Sequence, residues 1–526
     1  MNTAPSKKHL VKAAGLVGLM TLTSRVLGMI RDIVSAKSFG TSWQWDAFLY
    51  AFMLPNFLRR IVGEGALASA FVPVYAEVLN KQGKDAAFRY SQLVSTVLLT
   101  GLAAVILILE ASLHFAMQMP LPPRLMLTLD LLRYFFPYLW LISLFAMGMG
   151  ILNSHNHFLA PSLGPVILDL FWIAAVIWII PYAGNIPEVQ LHWLTVVIFV
   201  SGLFQVAVQF PPLRALGFRW KIILDFADAN LRKTVRLFLP SLFGFAIVQI
   251  NMLVDSTMGF MIGPGANSSL WYGSRIMQFP LGVFTIAMGT ALLPIISHYA
   301  ARQEMEEAKK TISFALRNIF FIILPCTVGL IVLRVPIVSM LFERGQFDAA
   351  STQRTAAVLM CYSFGLFAYS GQKIITAGFY AVQDTKTPMK LGVIDLCLNI
   401  VFNLILMHFF REAGLALATS VSGVLEFLVL MFLFNRKISA FPFREVGISF
   451  LKVLIAALAM GAVAVFSFQY LSQTFPGQHI TAMLIQVFGS IVLSVIAYFA
   501  FCFALRVREL QEASAWIFRK LQWQKT

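Results

Sequence analysis

Residues 480–505 read ITAMLIQVFGSIVLSVIAYFAFCFAL and contain no charged side chain. A helix of about 20 apolar residues crosses the hydrocarbon core of a bilayer, which is roughly 30 Å thick. Similar stretches follow one another along the chain, and they predict an all-α integral membrane protein with about fourteen transmembrane helices. We place these helices near residues 10–36, 46–78, 88–114, 126–152, 159–181, 191–213, 232–261, 268–299, 311–333, 352–382, 388–409, 413–434, 448–470 and 480–505.

The composition excludes a soluble globular protein. Of the 526 residues, 59% are hydrophobic and 12% are charged, whereas a soluble domain carries roughly 25% charged residues. The net charge of +16 does not indicate nucleic-acid binding, because the chain lacks a soluble domain that could present a basic face. The four cysteines lie in apolar segments and are interpreted as small buried hydrophobes.

Loop charges predict the orientation. With the N-terminus inside, we count about 24 Lys and Arg residues in the inner loops and tails and about 5 in the outer loops, as the positive-inside rule requires. Both termini are therefore expected in the cytoplasm. The largest basic cluster lies in the longest inner loop, where its expected roles are topology and contact with anionic lipids; it comprises Arg214, Arg219, Lys221, Arg232, Lys233 and Arg236.

Two short similarities predict an internal duplication. Residues 65–73 resemble 289–294, and residues 161–169 resemble 388–395. Both offsets span an even number of predicted helices, so the two copies share one orientation. We predict a six-helix bundle in residues 1–215, a second in 216–437, and two further helices with an amphipathic tail in 438–526. Substrate is expected between the two bundles, near the middle of the membrane.

Several charged residues fall inside the apolar segments. A charge at the bilayer centre costs a few kcal/mol, so each needs a partner or a watery cavity. Basic residues outnumber the nearby acids, which favours a cationic cavity for an anionic head group; ion pairs between helices are the alternative. The set comprises Arg25, Arg31, Asp46, Arg59, Arg60, Glu64, Arg275 and Lys373.

Oxygen-bearing side chains also occur at membrane depth. Asn399 and Asn403 share a helical face, and Asp255 and Thr419 lie in other segments. They are candidate Na⁺ ligands, with interhelical hydrogen bonding as the alternative. Since no glycine-rich phosphate-binding motif is present, we expect transport to use a gradient or the membrane potential. No other cofactor is predicted.

The motifs resemble those of the MurJ family, also called MviN, within the multidrug/oligosaccharidyl-lipid/polysaccharide exporter superfamily. The resemblance covers nearly the whole chain and is most specific between Ser24 and Pro73. Its residues are Ser24-Arg25-Val26-Leu27-Gly28, Arg31-Asp32, Asp46-Ala47-Phe48, Leu54-Pro55-Asn56-Phe57-Leu58-Arg59-Arg60, Glu64-Gly65-Ala66, Ala70-Phe71-Val72-Pro73, Leu341-Phe342-Glu343-Arg344-Gly345, Gly378-Phe379-Tyr380 and Asp384-Thr385-Lys386-Thr387-Pro388.

The resemblance implies a flippase for lipid II, the undecaprenyl-pyrophosphate-linked precursor of peptidoglycan, in a bacterial inner membrane. It implies an arginine-lined cavity for the pyrophosphate, a groove for the lipid tail formed by the last two helices, and alternating access. Arginines matching Arg25, Arg31, Arg59 and Arg275 and an acid matching Asp46 are implied to be needed for function. The candidate Na⁺ ligands match positions where some members bind Na⁺.

We therefore expect a non-enzymatic monomeric transporter whose partners are lipid II and membrane lipids. The alternatives on the same fold are a flippase for another polyprenyl-linked saccharide and a drug exporter. A membrane-embedded glycosyltransferase is disfavoured, because the predicted outer loops are short and offer few carboxylates. A non-transporting scaffold would leave the arginines within the membrane without a role.

Overall fold

The computed structural model describes residues 7–60, 65, 67–438, 441–477 and 479–512, and within these ranges the protein is helical with no strand. The all-α prediction is confirmed. The helices are α1 (Lys7–Phe39), α2 (Trp43–Leu58), α3 (Leu67–Gln82), α4 (Lys84–Ala116), α5 (Pro123–Ser154), α6 (Leu159–Ala174), α7 (Pro187–Ala207), α8 (Phe210–Ala215), α9 (Ala229–Ile262), α10 (Ala266–Pro280), α11 (Ile286–Ala301), α12 (Met305–Val332), α13 (Arg334–Phe342), α14 (Ala349–Phe364), α15 (Leu366–Ala381), α16 (Lys386–Ile438), α17 (Phe443–Thr474) and α18 (Ile480–Ala504).

Nine helical stretches within the described ranges are long and apolar enough to cross a membrane. The longest, α16, contains a residue with non-helical backbone angles, Arg411 at φ 52° and ψ −131°, so two arms meet there. Two predicted segments are not single regular α-helices: residues 46–78 contain α2 and α3, and in residues 268–299 a π-helical turn at Leu281–Thr285 separates α10 from α11. The count of fourteen helices stays a prediction.

Residues Met1–Ser268 form one compact unit, here called the N-terminal unit. Within it α2 packs against α5 and α9, α1 against α6, and α5 against α7. Its core contains a cluster of aromatic rings at the start of α2, where Trp45 stacks on Phe39 at 4.8 Å and on Phe48 at 5.0 Å. Trp172 of α6 meets Phe48 edge-on at 5.4 Å. This packing holds α2 and α6 beside the charged residues described below.

Residues Ser269–Thr526 form a second compact unit, here called the C-terminal unit. In it α12 packs against α15 and α17, α17 packs against α18, and α14 and α15 pack against α16. Small residues permit this close contact: a Cβ atom on Gly371 would lie 2.3 Å from the ring of Phe427. The predicted division at residues 215 and 437 stays a prediction.

Gly414 is required where the two arms of α16 meet. A Cβ atom at this position would lie 2.2 Å from the backbone oxygen of Leu406, which cannot move aside as a side chain would. We expect Gly414→Ala to lower the free energy of unfolding by about 1–3 kcal/mol, measured as a lower thermal unfolding temperature in detergent. Gly392→Ala is the matched control on the same helix, because no atom lies within 4 Å of its Cβ position. Equal stability of the two variants would contradict the predicted clash.

The predicted amphipathic tail begins inside the C-terminal unit. Glu509 is 1% exposed; its Oε1 accepts a hydrogen bond from Ser449 Oγ at 2.9 Å and lies 3.3 Å from Arg317 Nη1. This buried ion pair ties the start of the tail to α12 and α17. Residues 513–526, where most of the predicted amphipathic face falls, lie outside the described residues.

Candidate functional site

Asp46 is the most completely bonded of the predicted site residues. It lies in the first turn of α2 and is 0% exposed. Its Oδ2 lies 3.0 Å from Arg124 Nη2 and accepts a hydrogen bond from Gly265 N at 2.6 Å. Its Oδ1 accepts hydrogen bonds from Ser268 N and Ser268 Oγ, both at 2.8 Å. One carboxylate therefore joins α2, α5 and the turn between α9 and α10.

Arg124 completes this arrangement and was not among the predicted site residues. Its Nη1 donates to the carbonyl oxygen of Phe260 at 2.6 Å, and its guanidinium lies 3.9 Å from the centre of the Phe260 ring. In the sequence it lies just before the predicted segment 126–152, where a basic residue can reach water. Only the fold brings it 3.0 Å from a carboxylate that is 78 positions away in the chain.

Arg31 is also neutralised within the N-terminal unit. It is 6% exposed, and its guanidinium lies 3.0 Å from Asp32 Oδ1 and 2.8 Å from Asp169 Oδ1. It also lies 4.8 Å from the centre of the Trp172 ring. Through its ion pair with Asp169, Arg31 joins α1 to α6. Asp169 was noted in the repeat but not as a site residue, because its partner is on another helix.

Arg25 has a different environment on the same helix. It is partly exposed and has no ion pair or hydrogen bond from its side chain among the described residues. Asp32, which shares its helical face by spacing, binds Arg31 instead. Arg25 and Arg31 are six positions apart. At 100° per residue, their side chains leave the helix about 240° apart around its axis. Arg25 is therefore a cation of α1 that is directed away from the ion pairs neutralising Arg31.

Arg59 and Arg60 lie where α2 ends, and they differ in exposure. Arg59 is partly buried, and its Nε donates to Asn56 Oδ1 at 3.3 Å. Arg60 is exposed, and its Nη1 lies 3.7 Å from the sulfur of Met252 on α9. The two side chains face different directions, as predicted for neighbours on a helix. Glu64, a predicted site residue four positions after Arg60, lies outside the described residues.

The C-terminal unit contains the other two predicted cations. The guanidinium of Arg275 lies 5.4 Å from the centre of the Trp271 ring, one turn earlier in α10. Lys373 is an exposed residue of α15. The preceding residue, Gln372, donates to Glu426 Oε2 at 2.8 Å. Glu426 was not predicted, and it adds a carboxylate to this face of the unit.

Three of the four candidate Na⁺ ligands come together. Asn403 Nδ2 donates to Asn399 Oδ1 at 2.8 Å, and Asn399 Nδ2 donates to Thr419 Oγ1 at 3.2 Å. These side chains are neutral and bonded to one another, as the interhelical hydrogen-bonding alternative describes. Asp255 lies in the other unit. Within the described part of the chain, no group of three or more His, Cys, Asp or Glu residues could hold a metal ion.

An apolar cavity of about 470 Å³ lies in the C-terminal unit between α12, α17 and α18. Phe321, Gly329, Met460 and Val495 are among its walls. The cavity surface is apolar, and the hydroxyl of Tyr498 beside it donates instead to the carbonyl oxygen of Phe321 at 2.6 Å. Such a space suits a hydrocarbon chain and offers nothing to a polar ligand.

Comparisons with known proteins agree on one family. The family model described as lipid II flippase MurJ matches residues 35–486. A Haemophilus influenzae protein named probable lipid II flippase MurJ is 34% identical over 464 residues, covering 84% of this chain and 90% of its own. A Vibrio cholerae protein of the same name is 36% identical over 437 residues, covering 80% and 82%.

Solved structures give the same result. A structure titled lipid II flippase MurJ, inward closed conformation, has a TM-score of 0.72 and 27% sequence identity, covering 93% of this chain and 99% of its own. A multidrug resistance transporter of the MATE family, in its inward-facing conformation, has a TM-score of 0.66 at 16% identity, covering 80% and 95%. The second likeness shows the fold alone.

Proposed function

The chain belongs to the MurJ family of lipid II flippases, and we propose that it moves the lipid II head group by alternating access through an arginine-lined cavity. The protein is a multi-pass membrane transporter, and its substrate is a lipid whose head group carries a pyrophosphate. Arg25 is the observation on which this proposal depends most. Its charge lies within a helix of the membrane protein, and no acid of the described residues neutralises it.

Phosphate chemistry explains why arginine suits this role. A guanidinium presents a rigid fork of donors that matches phosphate oxygens in pairs, and it stays charged at every physiological pH. Carrying such a charge within the membrane costs a few kcal/mol unless an anion or water compensates it. In our proposal the pyrophosphate supplies this compensation when it binds. Arg59, Arg60, Arg275 and Lys373 are the other proposed contributors.

The buried ion pairs have a different proposed role. Arg31 with Asp169, and Asp46 with Arg124, have their charges satisfied within the N-terminal unit. A pyrophosphate would have to displace a carboxylate 2.8–3.0 Å away to reach either arginine. We therefore assign these two pairs to holding the helices of the unit in position, so that Arg25 and Arg59 are presented correctly.

The apolar cavity is the proposed site of the polyprenyl chain. Its walls come from α12, α17 and α18, and the last two helices are the ones expected to form a lipid-tail groove. In a membrane, a polyprenyl chain gains little free energy when it leaves other lipids for an apolar cavity. The shape and packing of the cavity must therefore select the chain. A smooth cavity of about 470 Å³ accepts several isoprene units and leaves the remainder of the tail in the bilayer.

Gly329→Phe tests the apolar cavity. A Cβ atom on Gly329 meets only the end of Met460, at 3.9 Å, so a ring fits the backbone and projects into the cavity. We expect about a tenfold slower transfer of full-length lipid II in proteoliposomes, corresponding to about 1.4 kcal/mol, and a smaller effect on an analogue with a short polyprenyl chain. Gly447→Phe on α17 is the control, since its Cβ position is open. Wild-type transfer of full-length lipid II by Gly329→Phe would contradict the assignment.

The remaining features of the proposal concern energy and assembly. We propose that the protein works as a monomer with both termini in the cytoplasm, does not alter its substrate chemically, and is driven by the membrane potential. A role for Na⁺ at Asp255, Asn399, Asn403 and Thr419 remains a prediction. Asn399 Oδ1 and Thr419 Oγ1 already accept hydrogen bonds, so an ion there would have to replace those bonds.

A further inference from the structure

A second cavity, of about 940 Å³, lies in the N-terminal unit beside α8, far along the chain from the residues assigned to lipid II. Arg214, Arg219, Trp140, Trp220, Phe210 and Leu144 contribute to its lining. None of the described residues that line it is acidic. We call it the arginine–tryptophan cavity. It combines two cations with a largely apolar interior, which is the arrangement that an amphiphilic anion requires.

The loop that bears the two arginines is held in a defined conformation. Gly217, at φ 87°, reverses the chain directly after α8 and donates from its N to the carbonyl oxygen of Arg214 at 2.8 Å. The Phe218 ring then turns inward, where it is 2% exposed. Gln92 of α4 donates to the carbonyl oxygen of Arg219, and Thr96 accepts from Ile223 N at 3.2 Å. The cavity is therefore preformed, because backbone contacts to α4 keep the loop in place.

The two guanidiniums at the cavity are available for a ligand. Arg214 and Arg219 are both exposed, and neither has an ion pair among the described residues. Lys233, a member of the same basic cluster in the first turns of α9, is paired with Glu77 of α3 at 2.5 Å. The loop therefore leaves unpaired the arginines that line the cavity.

The aromatic residues indicate where the cavity lies relative to the bilayer. Trp140 is 37% exposed and donates from its ring N–H to the carbonyl oxygen of Leu99 at 3.1 Å. Phe210 is 38% exposed, and Trp220 lies edge-on to Phe218 at 5.0 Å. A tryptophan beside an arginine, as Trp220 is beside Arg219, is typical of the level of the lipid head groups, whereas Trp140 lies in the middle of α5. The arginines then lie at head-group depth, while Leu99 and Leu144 extend the cavity toward the acyl chains.

We propose that the arginine–tryptophan cavity binds an anionic phospholipid, with its phosphodiester between Arg214 and Arg219 and an acyl chain along Leu99 and Leu144. This inference does not rest on the proposed function, since it concerns another ligand in another cavity. The proposed occupant is a lipid because half of the cavity is apolar. A free phosphate ion would leave this half unfilled. Binding there fixes the loop between α8 and α9 on the membrane surface.

Native mass spectrometry of the full-length protein tests the proposal, after equilibration with mixtures of phosphatidylglycerol and phosphatidylethanolamine. We expect the wild type to retain phosphatidylglycerol selectively. Arg214→Gln with Arg219→Gln should weaken this retention about 30-fold, at about 1 kcal/mol for each basic residue near a lipid surface. The matched control replaces Arg232 and Arg236 by glutamine, which removes the same charge from the first turns of α9, outside the cavity lining, and should keep most of the retention.

Three outcomes would overturn the proposal. Equal losses in the two double variants would show diffuse attraction by the loop, and unchanged retention in Arg214→Gln with Arg219→Gln would show that lipid binds elsewhere. Competition by inorganic phosphate as effective as that by phosphatidylglycerol would show a site for the free ion.

Leu144→Trp keeps both arginines and fills the apolar half, so it should also release the lipid. Thermal unfolding identifies any variant that fails to fold, and the single change Arg214→Gln, expected to cost about fivefold, then replaces the double variant.

Discussion

Replacing Arg25 by alanine is expected to slow lipid II translocation by about 10- to 100-fold, while the protein inserts and folds as the wild type does. The size follows from the loss of a charge-assisted hydrogen bond, worth about 1.5–3 kcal/mol. Folding is spared because the Arg25 side chain has no ion pair among the described residues that its removal would break. The measurement is transfer of fluorescent lipid II in proteoliposomes, alongside thermal unfolding in detergent.

Arg31→Ala is the informative comparison for Arg25→Ala. It removes the same charge from the same helix, but it leaves Asp32 and Asp169 buried without their cation. We expect it to lower the unfolding temperature strongly, so that transport is lost through poor folding. Arg25→Lys should recover part of the rate, since lysine keeps the charge and loses the fork. Full transport by Arg25→Ala, or unfolding as severe as that of Arg31→Ala, would contradict the role assigned to Arg25.

Asp46→Ala is expected to destabilise the N-terminal unit by about 3–5 kcal/mol, the usual cost of removing one partner of a buried ion pair. Arg124 would lose its carboxylate, and the donors at Gly265 and Ser268 would lose their acceptor. The expected observation is a large fall in unfolding temperature and in the yield of inserted protein. Asp46→Asn should cost less, because it keeps an acceptor for Ser268.

A double-mutant cycle separates the ion pair from the other bonds of Asp46. Arg124→Gln alone should also destabilise the protein, and combining it with Asp46→Asn should cost less than the sum of the two changes. Additive effects would mean that the 3.0 Å contact between the two side chains contributes nothing to stability. Normal stability of Asp46→Ala with lost transport would instead assign Asp46 to the substrate.

The sequence predicted the helical fold well because the apolar stretches are local signals. In a bilayer, an apolar run such as residues 480–505 forms a helix, because a helix satisfies its backbone hydrogen bonds internally. Prolines occur in the segments that contain α2 and α3 and in those that contain α10 and α11, where the structure departs from a single regular α-helix. The family resemblance likewise came from contiguous motifs.

The sequence did not predict which membrane-depth arginines are paired. Asp169 lies 138 positions from Arg31, and Asp46 lies 78 positions from Arg124, so no helical spacing relates either pair. Spacing along α1 places Asp32 on nearly the same helical face as Arg25, yet Asp32 pairs with Arg31. Distinguishing a structural arginine from a substrate-binding one therefore required the packing of α1 against α6.

The most direct test of lipid II flipping by this protein is to deplete it in its host and measure which membrane leaflet holds lipid II. Our account predicts that lipid II accumulates in the inner leaflet, and that wild-type protein restores its distribution while Arg25→Ala, produced at equal level, does not. An unchanged distribution of lipid II after depletion would contradict the account.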